Sequence, residues 1–488
     1  MLLKASWLGI GLALMLGVVG CHGGNVNPNP RPSNPLDEDG DGVQRPTDCD
    51  DTNPEVFPGA VELCENGIDD DCDGRDAPCA ACAPGAIPAL GCRCGNSPAW
   101  DGFCCQGARQ DDPCDGNGPV VPPIRSGFVG RSGIGFVRDG KPFVFAGTNV
   151  YDLFAFGDGA STASDQAIED KFINKPRIDA HLQLMASLGV KVVRLWAYSH
   201  EKWHGFEPEK GKFVEPQLRL LDYIVKSAKD HGLLLLPVLE NYWEAYGGID
   251  SRLRWEGLAA GSGSARWKFF NRKYCPGCFD QYKNYVKTIV NRVNHYTQVA
   301  YKGDPTIFAW ELMNEPRYEE PSEAKTGATL RAWVDEMSAY VKSQDPSHMV
   351  TPGLEGHESR YGFGGDEGNP FVFIHQSPTI DFCTAHPYPT EDWAKLDLNQ
   401  TLDLVRKWAS DAHQVVGKPL VISEFNMHNV DRVLWWTEFY KTIEAQKISG
   451  SQFWWLMDRN VDSKFGVMVN APELSVFKAH AQRLKTLY

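Results

Sequence analysis

At 488 residues the chain is too long for one ordinary core, so two or more folding units are expected. Its hydrophobic share of 42% and charged share of 23% are those of a soluble globular protein. Of the net charge of −15, nearly all sits in residues 37–76, which hold 15 acidic and two basic side chains. The remainder is close to neutral, which excludes the basic footprint of a nucleic-acid-binding protein.

The chain opens with Lys4 followed by the apolar stretch Leu8 to Val19. Residues 1–20 read as a signal peptide, too short in its apolar part for a transmembrane span. Val18-Val19-Gly20-Cys21 resembles a bacterial lipoprotein box. That resemblance implies that Cys21 is lipidated and becomes the mature N-terminus. The protein would then be secreted and anchored to the bacterial cell envelope, at the outer membrane or cell surface. An ordinary secretory signal cut nearby is the alternative.

Residues 21–36, rich in Pro, Asn and Gly, cannot build a core and read as a flexible tether. Residues 37–118 form an acidic unit holding ten of the 14 cysteines. Behind a signal peptide such density implies disulfides, and a zinc site is the alternative. Asp37, Asp39 and Asp41 precede Gly42 at the spacing that opens a calcium loop, with Asp48 at its twelfth position. Asp69, Asp71 and Asp73 repeat that half-pattern before Gly74. The stretch resembles the acidic metal-binding repeats of secreted bacterial proteins and thrombospondin type 3 loops. It implies structural Ca²⁺ in a disulfide-bonded stalk, against the simpler reading of a disordered acidic spacer. Residues 119–124 read as a second linker.

From residue 125 to 488 the texture changes. Eight apolar runs have strand character: Phe143–Asn149, Val190–Ala197, Leu233–Asn241, Ile307–Glu315, Met349–Gly356, Phe382–Tyr388, Leu420–Phe425 and Ser449–Leu456. Between them Arg177–Leu188, Glu215–His231, Phe279–Tyr301 and Leu330–Ser343 carry apolar residues at helical spacing. Eight strands alternating with helices predict a (β/α)8 TIM barrel of the α/β class. The rival doubly wound sheet needs a glycine-rich phosphate loop after the first strand, and Gly147-Thr148-Asn149 is not one. Cys275 and Cys278 are expected to form a local disulfide, and Cys383 to be a buried thiol.

Barrel active sites lie at the C-terminal ends of the strands. The polar and aromatic residues there are Asn149, Arg194, Trp196, Asn241, Asn314, Glu315, His386, Tyr388, Glu424 and Trp454. Two carboxylates, Glu315 and Glu424, close strands four and seven. A carboxyl pair is what glycosidic cleavage requires, one to protonate the departing oxygen and one to attack or to activate water. The Asn314 amide beside Glu315 suits a sugar 2-hydroxyl. Arg194 is expected to lower the pKa of Glu424 and keep it ionised, while an acid at Glu315 needs the opposite shift.

These residues, and the motif Asn314-Glu315-Pro316, resemble glycoside hydrolase family 5 over residues 125–488. The endo-β-1,4-mannanase branch is the more similar. Its marks here are Arg194-Leu-Trp196, Asn241-Tyr-Trp243-Glu-Ala-Tyr-Gly-Gly248, Arg317 after the acid/base, His386-Pro-Tyr388-Pro389 and Gly450-Ser-Gln-Phe-Trp454. The resemblance implies that Glu315 is acid/base and Glu424 nucleophile, supported by Arg194, Asn314, His386 and Tyr388. It implies sugar contacts from Asn149, Trp196, Asn241, Trp243, Arg317, Trp454 and Trp455, with Trp454 favoured over Trp455 by its spacing from Gly450. Mannan, glucomannan or galactomannan would be the polysaccharide partner, no cofactor would serve catalysis, and a monomer would suffice. Glu240 stands where that branch is expected to carry the first of two Asn residues. Residues 255–270 are a candidate loop for closing one end of the cleft. A cellulase-like β-1,4-glycanase is the nearer alternative. A calcium-dependent adhesin that merely binds polysaccharide would require a missing carboxylate, and both are present.

Overall fold

The computed structural model describes residues 124–156, 174–202 and 205–487, with scattered positions between 47 and 110. Cys21, Asp37, Asp39, Asp41, Asp48, Asp71 and Asp73 lie outside the described residues. The chain divides into two units, Met1–Val121 and Pro122–Tyr488. In the first, a Cys49–Cys72 disulfide is present and Asp69 accepts the Gly74 N–H at 2.9 Å. Among the described residues no helix is long and apolar enough to cross a membrane.

The second unit is an eight-stranded parallel barrel. Its strands are β1 (Phe145–Asn149), β2 (Val192–Trp196), β3 (Leu234–Val238), β4 (Ala309–Glu311), β5 (Met349–Thr351), β6 (Cys383–Ala385), β7 (Leu420–Ile422) and β8 (Gly450–Phe453). Every one is buried along its whole length, which explains the continuous apolar runs. The helices that follow are α1 (Lys175–Leu188), α2 (Glu215–Asp230), α3 (Pro276–Val290), α4 (Ala328–Gln344), the short α5 (Phe371–His375), α6 (Leu398–Ser410), α7 (Arg432–Ala445) and α8 (Glu473–Leu487). A proline in the first turn starts α1, α2 and α3, where a missing N–H costs nothing.

The ladder runs β5-β4-β3-β2-β1-β8-β7-β6. Backbone and side chain together close the remaining seam. Asp381 donates its N–H to the Val350 carbonyl at 2.8 Å and accepts the Val350 N–H on its carboxylate at 2.7 Å. The Thr351 hydroxyl donates to the Phe382 carbonyl at 3.0 Å.

One expected helix is shorter than its apolar pattern. The stretch expected to be helical through Tyr301 leaves the helix at Val290. Beyond it Asn294 accepts the N–H groups of Tyr296 and Thr297, and its amide donates to the Asp222 carbonyl. These side-chain bonds offer the backbone a turn in place of a further helical turn.

A three-stranded antiparallel sheet, Val129–Ser132, Gly135–Arg138 and Lys141–Phe143, precedes β1. It caps the N-terminal end of the barrel. Phe136 enters there and meets Phe308 and Phe382 edge-on, at 5.3 and 5.4 Å between ring centres. Val192, Leu234, Leu236, Met349 and Val421 complete this apolar floor. Polar side chains therefore collect at the other end. Replacing Phe136 with Ala removes the plug and leaves a cavity, and is expected to cost about 3–5 kcal/mol. Thermal or urea denaturation of the variant against wild type measures it.

Candidate active site

Arg194 on β2 is the hub of the polar end, and its side chain is wholly buried. Its Nε and Nη2 donate to Glu311 on β4 at 2.9 and 2.5 Å. Nη1 donates to Glu424 after β7 at 2.5 Å and to Asn149 on β1 at 3.0 Å. Nη2 also donates to Asn314 at 2.7 Å. One guanidinium thus ties together β1, β2, β4 and the end of β7. Burial works against its charge, and the two carboxylates hold it protonated.

Glu315 and Glu424 face one another around His386. One oxygen of each carboxylate and one ring nitrogen of His386 all lie within 4.8 Å of one another. His386 Nδ1 is 2.9 Å from Glu315 Oε1, and Nε2 is 2.9 Å from the Ser423 hydroxyl. The Trp243 indole N–H donates to Glu315 Oε2 at 2.6 Å, and the Tyr388 hydroxyl donates to Glu424 Oε2 at 2.6 Å. Glu315 sits at φ 51°, a left-handed backbone that a non-glycine residue adopts at a cost. Its N–H is held by the Gly353 carbonyl at 2.9 Å. Among the described residues this trio is the one His and carboxylate group close enough to grip a cation, and Arg194 against Glu424 would repel one.

The electrostatics correct one expectation. Burial pushes the Glu424 carboxyl above its ordinary value and outweighs the opposing pull of His386, Arg194 and the Tyr388 hydroxyl. A lowering was expected because the sequence shows the charged partner and not the depth of burial. Burial also lowers His386, so its imidazole is neutral near pH 7, and raises Tyr388, so its phenol keeps its proton.

Several expected sugar contacts are employed otherwise. Asn149 is fully buried, accepting from Arg194 and donating to the Ser423 carbonyl at 2.9 Å. Asn241 is fully buried as well, accepting from the Asn314 amide at 3.0 Å and the Trp243 N–H at 3.1 Å. Both amides therefore orient protein groups instead of facing a ligand. Asn314 likewise spends its amide on Arg194 and Asn241. Trp455 is 3% exposed and donates its indole N–H to Asp462 at 3.3 Å, whereas Trp454 is half-buried and stacks on Tyr151 at 5.0 Å. Trp196, 5% exposed, packs behind that pair, 4.9 Å from Tyr151. Trp243 uses its polar edge on Glu315, and the Arg317 and Arg266 guanidinium groups lie over its ring at 4.8 and 5.6 Å. Arg317 is paired with Glu355 at 2.6 Å and touches His357 at 3.1 Å. In residues 255–270, Arg266 is pinned to Asp250 at 2.7 Å.

Three residues were not found from the sequence. Glu311 lies inside the apolar run of β4, where a lone carboxylate is itself the signal. Ser423, just before Glu424, orients His386. Trp393 is 47% exposed on the segment after β6, against His357 at 4.5 Å and Phe363 at 4.9 Å, and no periodicity marks it.

A family model described as glycoside hydrolase family 5 β-mannosidase-like matches residues 126–454. The chain belongs to glycoside hydrolase family 5. Similar to this family 5 hydrolase is mannan endo-1,4-beta-mannosidase 8 of rice (Oryza sativa), 35% identical over 62% of this chain and 80% of its own length. Mannan endo-1,4-beta-mannosidase 2 of Arabidopsis thaliana is 32% identical over 65% of this chain and 78% of its own. Among solved structures, the endo-1,4-beta-mannanase from Rhizomucor miehei superposes with a TM-score of 0.62 at 28% identity, covering 74% of this chain and 99% of that one. The endo-1,4-beta-D-mannanase from Thermotoga petrophila gives a TM-score of 0.58 at 27% identity, over 70% of this chain and 100% of that one. A separate model of a metal-binding motif, named for copper binding, matches residues 48–78.

With Glu424 as the nucleophile that the family resemblance implies, its raised pKa should set the acid side of the pH profile. A nucleophile must be ionised, so kcat/KM should fall as pH drops through a value above 4.5, the ordinary carboxylate pKa. Tyr388→Phe removes a donor that favours the ionised form. Its acid limb should move further up, and kcat should drop on the order of 10–100-fold, the worth of a hydrogen bond to a charge. Initial rates from pH 3 to 9 on both proteins check the shift and its sign.

Proposed function

We propose that this family 5 hydrolase is a retaining endo-β-1,4-mannanase acting on mannan, glucomannan or galactomannan backbones. The observation that carries the reading is the approach of Glu315 and Glu424 within 4.8 Å at the ends of β4 and β7. Retaining pairs are separated by about 5 Å, and inverting pairs by more, to admit a water. The named mannanases among the relatives supply the substrate class.

In the first step Glu424 attacks the anomeric carbon while Glu315 protonates the leaving oxygen. The C–O bond to the leaving sugar breaks, and a glycosyl ester forms on Glu424. Glu315, now ionised, removes a proton from water, which displaces Glu424 and releases the sugar with its configuration retained. Arg194 and Tyr388 each hold one oxygen of the nucleophile. Neutral His386 serves both states of Glu315. Its Nδ1 accepts from the acid or donates to the carboxylate, and the Ser423 hydroxyl matches either tautomer.

Internal cleavage is supported by aromatic groups on opposite rims of the mouth. Tyr151, Trp196 and Trp454 stand on the β8-β1-β2 side, and Trp393 with His357 and Phe363 on the β5-β6 side. In an eight-strand barrel those arcs oppose one another, with β4 and β7 between them. A polymer crossing the mouth would meet a sugar-stacking face on each side of the carboxylates.

For the N-terminal unit we propose structural Ca²⁺ held by Asp37, Asp39, Asp41, Asp48, Asp69, Asp71 and Asp73, and a lipid anchor on Cys21 that keeps the enzyme at the cell surface. Support comes from the acidic spacing, the metal-binding motif over residues 48–78 and the Cys49–Cys72 bridge.

Wild type incubated with glucomannan or galactomannan should yield manno-oligosaccharides of mixed length, and Glu424→Ala none. NMR of early products should show the β-anomer first. Products from carboxymethyl-cellulose alone would move the enzyme to the glucanases. Calorimetric titration of the full chain should detect Ca²⁺ binding in the range of extracellular modules, about 0.1–1 mM. Copper binding without calcium binding would reassign that module.

A further inference from the structure

The Glu240 that departs from the expected Asn pair lies at the end of β3, wholly buried beside Arg252, His200 and Glu207. Arg252 donates its Nε to Glu240 and its Nη1 to Glu207 at 3.3 Å. His200 Nε2 is 3.1 Å from the Glu240 carboxylate, and Nδ1 is 3.2 Å from the Glu207 carbonyl. Both ring nitrogens thus face oxygens of the two acidic residues. Arg252 bridges the two buried carboxylates, and His200 braces the same two residues. Burial alone would raise Glu240, but Arg252 and His200 hold it down to about 2. Such a group is costly to bury, and removing one partner would leave a buried charge unmatched.

The contacts lead to the acid/base. Glu240 accepts the Asn241 N–H on its carboxylate at 3.0 Å and the Asn314 N–H on its carbonyl at 2.8 Å. Asn241 in turn holds Asn314 and the Trp243 backbone, and the Trp243 indole donates to Glu315. Arg252 is carried by a short helix, Gly248–Trp255, that lies directly on this turn. Ile249 donates its N–H to the Asn241 carbonyl at 2.9 Å. A Cβ on Gly248, at φ 49°, would collide with the Trp243 carbonyl, so only glycine lets the helix sit so close. The same helix carries Asp250, which fixes Arg266 over the Trp243 ring.

The geometry points to Glu240 and Arg252 as positioning residues for the acid/base: the buried Glu207–Arg252–Glu240–His200 quartet anchors the turn that aims the Trp243 indole N–H at Glu315. This rests on the assignment of Glu315 as general acid/base. Trp243 is fixed from the inside through Asn241 and from the outside through Arg266, and neither contact touches substrate at Glu240. Loss of the anchor should therefore impair proton transfer while leaving sugar binding and nucleophilic attack in place.

The test is Glu240→Gln, which keeps shape and removes charge, with Trp243→Phe and Arg252→Lys alongside. Mannan is compared with 2,4-dinitrophenyl β-mannobioside, whose leaving group departs without a proton. Glu240→Gln should lower kcat on mannan on the order of 10–100-fold, the range for a mispositioned proton donor, with KM within about twofold. The burst of dinitrophenolate should stay within about threefold of wild type, and added azide should speed its turnover by replacing the water that needs a base. Trp243→Phe should reproduce that pattern. Equal losses on both substrates, or no loss on mannan, would overturn the proposal. If thermal melts show Glu240→Gln unfolded, Trp243→Phe and Arg252→Lys decide by the same leaving-group comparison. Wild type inert on both substrates would instead sink the mannanase reading itself.

Discussion

A single buried cation organises this barrel's working end. Arg194 is flat, has donors on three nitrogens, and cannot shed its charge, so it must be matched by fixed acceptors. Glu311 takes two of its N–H groups side-on, which sets the plane of the guanidinium. The remaining donors then point to Glu424, Asn149 and Asn314. Glu424 is therefore placed from β2 and β4 as much as from its own strand. Without Glu311, Arg194 would lose two of its buried acceptors and keep Glu424 as its one anionic partner, and breaking such a buried pair costs several kcal/mol.

The two ends of the barrel divide the work. Phe136 and its neighbours form a floor with no polar atoms to satisfy, and the stability of the closed end supports strain at the open one. The left-handed backbone at Glu315 and the raised carboxyl of Glu424 are both local costs, tolerated where the surrounding contacts over-determine the geometry. The shell continues outward by the same rule. Asn241, Trp243 and the helix Gly248–Trp255 fix Glu315 from the β3 side, Ser423 braces its other oxygen through His386, and Tyr388 holds Glu424.

What could be read in the sequence follows from these constraints. The eight strands were legible because a parallel strand is buried on both faces and shows as an unbroken apolar run. The carboxylates stood out because each ends such a run. Glu311 escaped notice because it lies one layer deeper, inside a run that reads as core. The amides of Asn149 and Asn241 sit at strand ends as Glu315 and Glu424 do, and only burial and partners reveal that they hold protein atoms. Phe279–Tyr301 kept its apolar spacing past the helix end because Tyr301 is buried in its own right, bonded to Asp222 at 2.6 Å. The direction of the Glu424 shift needed the balance of desolvation against charge, and a linear sequence shows only the second. Trp393 belongs to a loop, where no period exists to mark a functional ring.

Neutral His386 between the two carboxylates has a consequence for the electrical state of the site through turnover. In the proposed double displacement Glu424 starts as the anion and Glu315 as the acid. In the glycosyl ester that this mechanism forms, Glu424 would be uncharged and Glu315 the anion. The total does not change; one electron's worth of charge crosses from the β7 side to the β4 side, beneath the same sugar. Arg194 bonds Glu424 directly and also bonds Asn314, the residue before Glu315. A charged imidazole at the midpoint would favour neither end, but would trap the anion wherever it lay. An uncharged one, able to turn its proton toward Ser423 or toward Glu315, lets the charge migrate with little reorganisation of the protein around it.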